Sequence, residues 1–554
     1  MKKFTSIILV LALVMAMGIS VSAAEYANEA AANAANLTAG TKITVGGREY
    51  TTIDDAAQIT DLTGSYYLIQ DITWPAANLG DFSGSFNGGN HTITLTGDSM
   101  FGPVGGPTSF IGNFKLVGEP VIALAKGFGL VGTSAHGGEF KNIHNYVDLL
   151  SNAEQAGSIF GNISSTSRGD TLVIENCVNY GLINGYERSG GFIGHVGSIS
   201  AMTTINIRNC VNFGEVRCDH NFYAGGVLGS IQDVQVESTI NIENCVNNGN
   251  ITAINSFVGG IVGGAYKANA FNTNVNITGC TNNGVISAPN GTSLYYGTGG
   301  IFGGVDQSVL TVNIDGCVNN GEVSAMLVAG GVFGGISKIN SSRVCHVKVT
   351  NSINNAPVSV SGEGYCSAIF TSTNGVADRS ADISADSTFT VIDCFSTVAD
   401  LKLTDIVLTL SDGVTVVCNP EITNVVTVAD AAAAVAGVNG KVEDATFEVV
   451  EGKIRVTLGT HTYENSFCND CGAPDPYNPV ALENGGGDEN NNGGQTDTTT
   501  APTTTTKAPE TTKAPETTKA PEEKGGCSGF ATGSVAFVAL MTVAGCALLK
   551  KKED

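Results

Sequence analysis

One cassette returns at near-even spacing through the middle of this chain, and that regularity limits what the chain can fold into. It reads Asn176-Cys177-Val178-Asn179-Tyr180-Gly181, followed by Gly190-Gly191-Phe192-Ile193-Gly194. It recurs at 209–214 with 225–229, 244–249 with 259–263, 279–284 with 299–303, and 316–321 with 330–334. The aligned cysteines, Cys177, Cys210, Cys245, Cys280 and Cys317, step by 33, 35, 35 and 37 residues. A unit this small cannot bury an apolar face alone, so units with such a period must stack and share one core.

Each cassette holds three strand candidates. The first alternates apolar and polar residues, as in Ile205-Asn206-Ile207, Ile240-Asn241-Ile242 and Val312-Asn313-Ile314. That alternation marks one buried and one outer face. The Asn/Gly turn after it suits left-handed backbone angles. A brief second strand follows, and the Gly-Gly run makes the third. Three strands per turn in register predict an all-β fold, a right-handed parallel β-helix over residues 25–400. Asn179, Asn212, Asn247, Asn282 and Asn319 are expected to stack along its axis and hydrogen-bond one another. The ladder cysteines, with Ser352 replacing one, read as small inward residues. Free buried thiols suit them, and the strand spacing also permits disulfides. Cys218, Cys345, Cys366, Cys394 and Cys418 fall off this ladder. Residues 82–93 read as the opening coil and 389–395 as the last. The Ala/Asn-rich stretch 26–37 reads as a short helix covering the first open edge.

The formal net charge is −24, with only 27 Lys and Arg in 554 residues, which excludes nucleic acid as a partner. Residues 1–24 read as a secretory signal, with Lys2 and Lys3 ahead of an apolar run. After the coils, residues 401–460 suggest a small α+β module or cap, with an Ala-rich helix over 428–438 and a hairpin turning at Glu451-Gly452. Residues 481–526 are first Gly/Asn-rich and then Thr/Pro/Lys-rich. Such sequence builds no core and acts as an extended, disordered spacer on the order of 100 Å long. Residues 527–549 have the length and apolarity of a transmembrane helix, and Lys550-Lys551-Lys552 hold the tail 550–554 on the cytoplasmic side.

The opening-coil residues 82–93 and the Gly-Gly-Phe-Ile-Gly run at 190–194 resemble the GLUG-motif repeat family over roughly residues 80–370. That resemblance implies a bacterial surface protein, since members include adhesins and non-catalytic parts of immunoglobulin A peptidases. The metallopeptidase members carry His-Glu-x-x-His, which this sequence lacks, so peptidase activity is not implied. The stretch entering the C-terminal span, Gly525-Gly526-Cys527-Ser528-Gly529, resembles anchors of clostridia-like Gram-positive surface proteins. The expected location is therefore the outer face of such a cell, held by one C-terminal membrane helix.

Two constellations carry chemistry. His461, Cys468 and Cys471 form a Cys-x-x-Cys knuckle with a nearby His, of the types and spacing zinc takes. It resembles short His/Cys modules near the C-termini of Gram-positive surface proteins. A structural zinc site needs four ligands and three are visible, and a Cys468–Cys471 disulfide suits an exported protein equally well. No other cofactor is implied. Aromatic residues precede several Gly-Gly runs: Tyr186, Tyr223, Phe257, Tyr295 and Tyr296, with Arg188 among them. On one side of a β-helix they form a candidate stripe for stacking on sugars, or simply pack against one another. No acid cluster or nucleophile motif recurs with the repeat. The leading function is adhesion to a host or cell-surface glycan or protein by an anchored β-helix. The alternatives are a β-helix polysaccharide lyase or hydrolase, and a purely structural stalk.

Overall fold

The computed structural model describes residues 23–477 apart from 98, 124–126, 152–153, 165–166, 221, 256, 292–295, 338–343, 372–386, 399–405, 410–414, 419–420, 465 and 470. Residues 1–22 of the expected signal, the expected linker 481–526, the expected span 527–549, the tail 550–554 and Tyr295 lie outside the described residues. Among the described residues no helix is long and apolar enough to cross a membrane.

The chain winds through parallel sheets as a β-helix. Three sheets have eight parallel strands each, and a longer one carries the Asn-Cys turns. Coils stack in strict register. Ile205 pairs with Ile240, and Val275, Val312, Val347 and Phe389 continue that row. Val211 pairs with Val246, which sets Cys210 and Cys245 one above the other.

Each coil has more corners than three strands require. One turn comprises Thr171–Glu175, Val178–Asn179, Ile183–Gly185, Arg188–Gly190 and Ile193–Gly197. The Gly-Gly run is therefore not a strand. It is a tight bend joining two strands of different sheets. A β-carbon on Gly190 would stand 1.9 Å from the Ile193 carbonyl oxygen, so the bend closes only on glycine.

Two ladders run through the interior. Asn145, Asn179, Asn212, Asn247, Asn282 and Asn319 each pass an Nδ2–H to the Oδ1 of the next, ending on Asn354, at 2.8 Å throughout. The same amides also donate to a carbonyl two residues on, such as Gly249 for Asn247. All are buried, and each is satisfied within the stack. The ladder thus extends one coil beyond the expected set at each end. The cysteine ladder is fully buried and its thiols are free. Each thiol points to backbone carbonyls, as Cys245 Sγ does to Ile207 at 3.6 Å and Glu243 at 3.4 Å. Cys394 belongs to this ladder, contrary to expectation. Phe395 pairs with Ile353, so Cys394 follows Ser352 one coil on. Its surrounding residues, Asp-Cys-Phe-Ser, conceal the match in sequence.

Both ends depart from expectation. Helix α1 is short, Glu29–Asn33, capped by Asn28. It packs beside the first coils, with Ala32 buried against Ile43, Val45 and Tyr67. The Glu29 carboxylate accepts from Asn87 and Asn113. At the other end the coils run past residue 400, because Glu421–Thr423 and Val426–Thr427 add strands to the long sheet. Helix α2, Ala431–Val438, and the hairpin Ala445–Val450/Lys453–Leu458 follow.

This C-terminal segment does not cap the stack. It lies along the side of the coils and runs back over them. Gly452 O takes a hydrogen bond from Asn355, Ile454 exchanges two with Asn320, and Leu458 N–H reaches Asn244. Asn248 and Asn176 donate to the carbonyls of Pro476 and Cys471. Val318, Ile353 and Phe395 on the coils share an apolar cluster with Val435, Val438, Val442, Phe447 and Ile454.

Candidate functional site

Two of the four described aromatic residues expected to form an exposed stripe are inside, and Tyr296 is half-buried. Tyr223 and Phe257 are 3% and 0% exposed, too little for either ring to meet a sugar face. Their rings stack 5.5 Å apart, and Tyr296 meets Phe257 edge-on at 5.6 Å. Register explains this: Arg188, Tyr223 and Phe257 are successive rungs of one row. Arg188 is held by Glu187 at 3.1 Å. Beside this row runs a second, Asn162, His195 and Ser230, with His195 Nδ1 2.8 Å from Ser230 Oγ. Burial, reinforced by Arg188, pushes the His195 imidazole down to about 3, so it is neutral at pH 7. Among the described residues of the predicted stripe only Tyr186 is substantially exposed, and it stacks on His220 at 4.1 Å.

The charged position before the turn is a structural row. Lys141, Glu175, Arg208 and Glu243 are consecutive rungs of alternating sign. Lys141 and Arg208 both bind Glu175, at 3.2 and 2.5 Å. Opposite charges on neighbouring strands favour the observed register.

A different set of residues converges where the C-terminal segment meets the coils. Asn90, Phe114, Lys115, Asn142 and His144 from the coils, with Phe467 and Gly472 from the segment, enclose a cavity of about 360 Å³. Phe467 stacks on His144 with centroids 5.4 Å apart and planes 9° from parallel. Burial and the neighbouring Lys115 push His144 down to about 4, which leaves a neutral imidazole in the wall. Lys115 sits 4.6 Å over the Tyr146 ring at the start of a stack through Tyr180 and Phe213. Aromatic walls with a few convergent polar groups are the usual make-up of a small-ligand pocket, and the volume lies within the usual range. Among its described lining residues there is no carboxylate. Sequence reading missed this site because its two halves lie more than three hundred residues apart.

His461, Cys468 and Cys471 do come together. Their ligand-type atoms lie within 4.8 Å of one another, the one convergence of three His, Cys or carboxylate groups among the described residues. Cys471 Sγ is 3.3 Å from His461 Nδ1, and His461 Nε2 is 3.0 Å from the Leu458 carbonyl. The knuckle, though far along the chain from the coils, rests on them through Asn176 and His144.

No family model matches this chain, and no curated protein matches it. A crystal structure of a "putative immunoglobulin A1 protease" from Bacteroides ovatus is similar over 41% of this chain and 75% of its own, at 22% identity and a TM-score of 0.33. At that score it bears on neither fold nor activity, and the parallel coil rests on its own strand register.

Proposed function

We propose that this chain is an exported surface protein whose β-helix holds out a binding pocket for a sugar ring, and so acts in adhesion to glycans. The observation that carries this reading is the cavity between coils and C-terminal segment. Phe467 and the edge of His144 supply apolar surface of the kind sugar rings stack on, over a floor set by buried Phe114, and Asn90 and Asn142 supply amides for hydroxyl groups. Lys115, the only charged residue among the described lining residues, favours a sugar bearing an anionic group. The signal-like N-terminus, the Thr/Pro spacer, the apolar C-terminal stretch and the resemblance to GLUG-motif surface proteins agree with display outside a Gram-positive-like cell, anchored in its membrane. A lyase or hydrolase is the alternative reading, and it would require a carboxylate-type acid–base group at the pocket.

The test is a glycan array probed with the full chain and with Phe467→Ala and Lys115→Ala. Binding to a defined sugar end, lost at least about tenfold in both variants, is the expected result. No binding at any density, or binding indifferent to both changes, refutes the pocket as the site.

A further inference from the structure

We propose that His461 Nδ1, Cys468 Sγ and Cys471 Sγ bind one zinc ion, and that this ion latches the C-terminal segment to the side of the β-helix. Four observations lead there. The three donor atoms already lie within 4.8 Å of one another, close to the separations that bonds of about 2.0–2.3 Å to a common tetrahedral centre impose. The histidine is oriented as a ligand is. Its Nε2–H is committed to the Leu458 carbonyl at 3.0 Å, which leaves the Nδ1 lone pair facing Cys471 Sγ at 3.3 Å. A backbone carbonyl on the far nitrogen is a common outer partner of zinc-bound histidine. The knuckle is also pre-shaped. Gly472 N–H donates to the Cys468 carbonyl at 2.9 Å with Gly472 at φ +71°, and Cys468 N–H donates to Ala473 O at 2.8 Å. Finally, Cys468 is buried while Cys471 is exposed, so the cluster sits at the surface, where solvent or a further group of the chain completes the four-coordinate shell that these three ligands leave open.

Binding ionises both thiols. Two sulfur–zinc bonds and one nitrogen–zinc bond form, two S–H bonds break, and the two protons pass to solvent; no electron moves. The latch follows from what the loop touches. Cys471 O receives Asn176 Nδ2–H at 2.8 Å, and Phe467, the residue before Cys468, stacks on His144. Fixing both cysteines and His461 on one ion fixes the two contacts that hold the knuckle on the coils. The inference is independent of the sugar-binding reading, because its readouts need no ligand.

The experiment is zinc content per chain on the full-length protein purified anaerobically, with the wild type, Cys468→Ser, His461→Ala and, as a control, Cys366→Ser. One zinc per wild-type and Cys366→Ser chain, and less than about a fifth of that in the other two, is expected. Cobalt substitution should give thiolate-to-cobalt charge-transfer bands in the wild type and Cys366→Ser, and not in Cys468→Ser or His461→Ala. Absent zinc, or an intact mass two hydrogens light from a Cys468–Cys471 disulfide that persists in the presence of zinc, overturns the site. For the latch, amide exchange of 458–473 should quicken at least about tenfold when zinc is chelated. Unchanged exchange overturns the latch, whatever the zinc content.

Discussion

Leu458 Cγ lies 2.5 Å from where a β-carbon on Gly279 would stand. In four other coils that turn position is asparagine, Asn176, Asn209, Asn244 and Asn351, at φ of +50 to +57°. Gly279 has φ +60° and Gly316 has +63°, so the backbone is the same and only the side chain is missing. At Gly316 the obstructing atoms belong to Val442. The repeat gives up asparagine where the C-terminal segment needs the room.

Gly279→Asn should therefore leave the coils intact and lift the hairpin. The backbone angle already suits asparagine in sister coils, so the cost is steric and confined to Leu458, about 1–3 kcal/mol on docking. Limited proteolysis and amide exchange should show residues 445–477 loosened while 170–350 stay protected. Loss of protection in both regions together would show that the segment and coils form one cooperative unit.

Removing one member of the asparagine ladder should be costly. Asn247→Ala takes the acceptor from Asn212 and the donor from both Gly249 O and Asn282 Oδ1, all within a dry interior. At about 1–3 kcal/mol for each buried group left unpaired, the loss should reach several kcal/mol. Chemical denaturation would measure it. Asn206→Ala, in the half-buried outer row where Asn241 alone donates to it at 2.9 Å, should cost far less.

Acid should weaken the fold through His195. Its folded pKa of about 3 lies below the ordinary 6.5, so between those values the unfolded chain holds a proton that the folded chain lacks. This stability is complete above about pH 6.5 and is lost as pH falls toward 3, at up to about 1.4 kcal/mol per pH unit. Arg188 and Ser230 are the groups facing the ring. His195→Asn, which copies Asn162 on the preceding rung, should flatten the fall in denaturation midpoint between pH 7 and 5. An unchanged slope would place the acid sensitivity elsewhere.

Thiol chemistry should separate the cysteines cleanly. Cys177, Cys210, Cys245, Cys280 and Cys317 are fully buried, and burial pushes Cys394 up to about 12. Alkylation of the metal-stripped native protein should label exposed Cys471 first and the ladder only on unfolding, read by peptide mass. Cys280→Ser should be tolerated within about 1–2 kcal/mol, since Ser352 fills the same place two coils on. Rapid native labelling of Cys245 would contradict the stacked interior.

Much of this was legible along the chain, and the reasons for the exceptions are physical. The coil period, the inward cysteines and the stacked asparagines each repeat at fixed offset, so identical neighbours meet identical neighbours. The Gly-Gly bend was misread as a strand because apolar residues and glycine are common to both. Tyr223 and Phe257 looked like a display surface, and register turned them into one another's packing. The pocket was invisible, since Phe467 meets His144 only through tertiary docking.

What the sequence determined by itself is the one-dimensional part: a repeating unit, which side of each strand faces in, and which residue stacks on its own kind in the next coil. That follows from periodicity, because a stacked repeat brings positions one period apart into contact wherever else the chain goes. Only the tertiary structure decided where the non-repeating C-terminal segment lies, which glycines make way for it, and which groups converge on the cavity and the His461–Cys468–Cys471 cluster. Contacts between a repeat and a unique segment leave no period to read, and they are settled by shape and hydrogen bonding between surfaces distant in the chain.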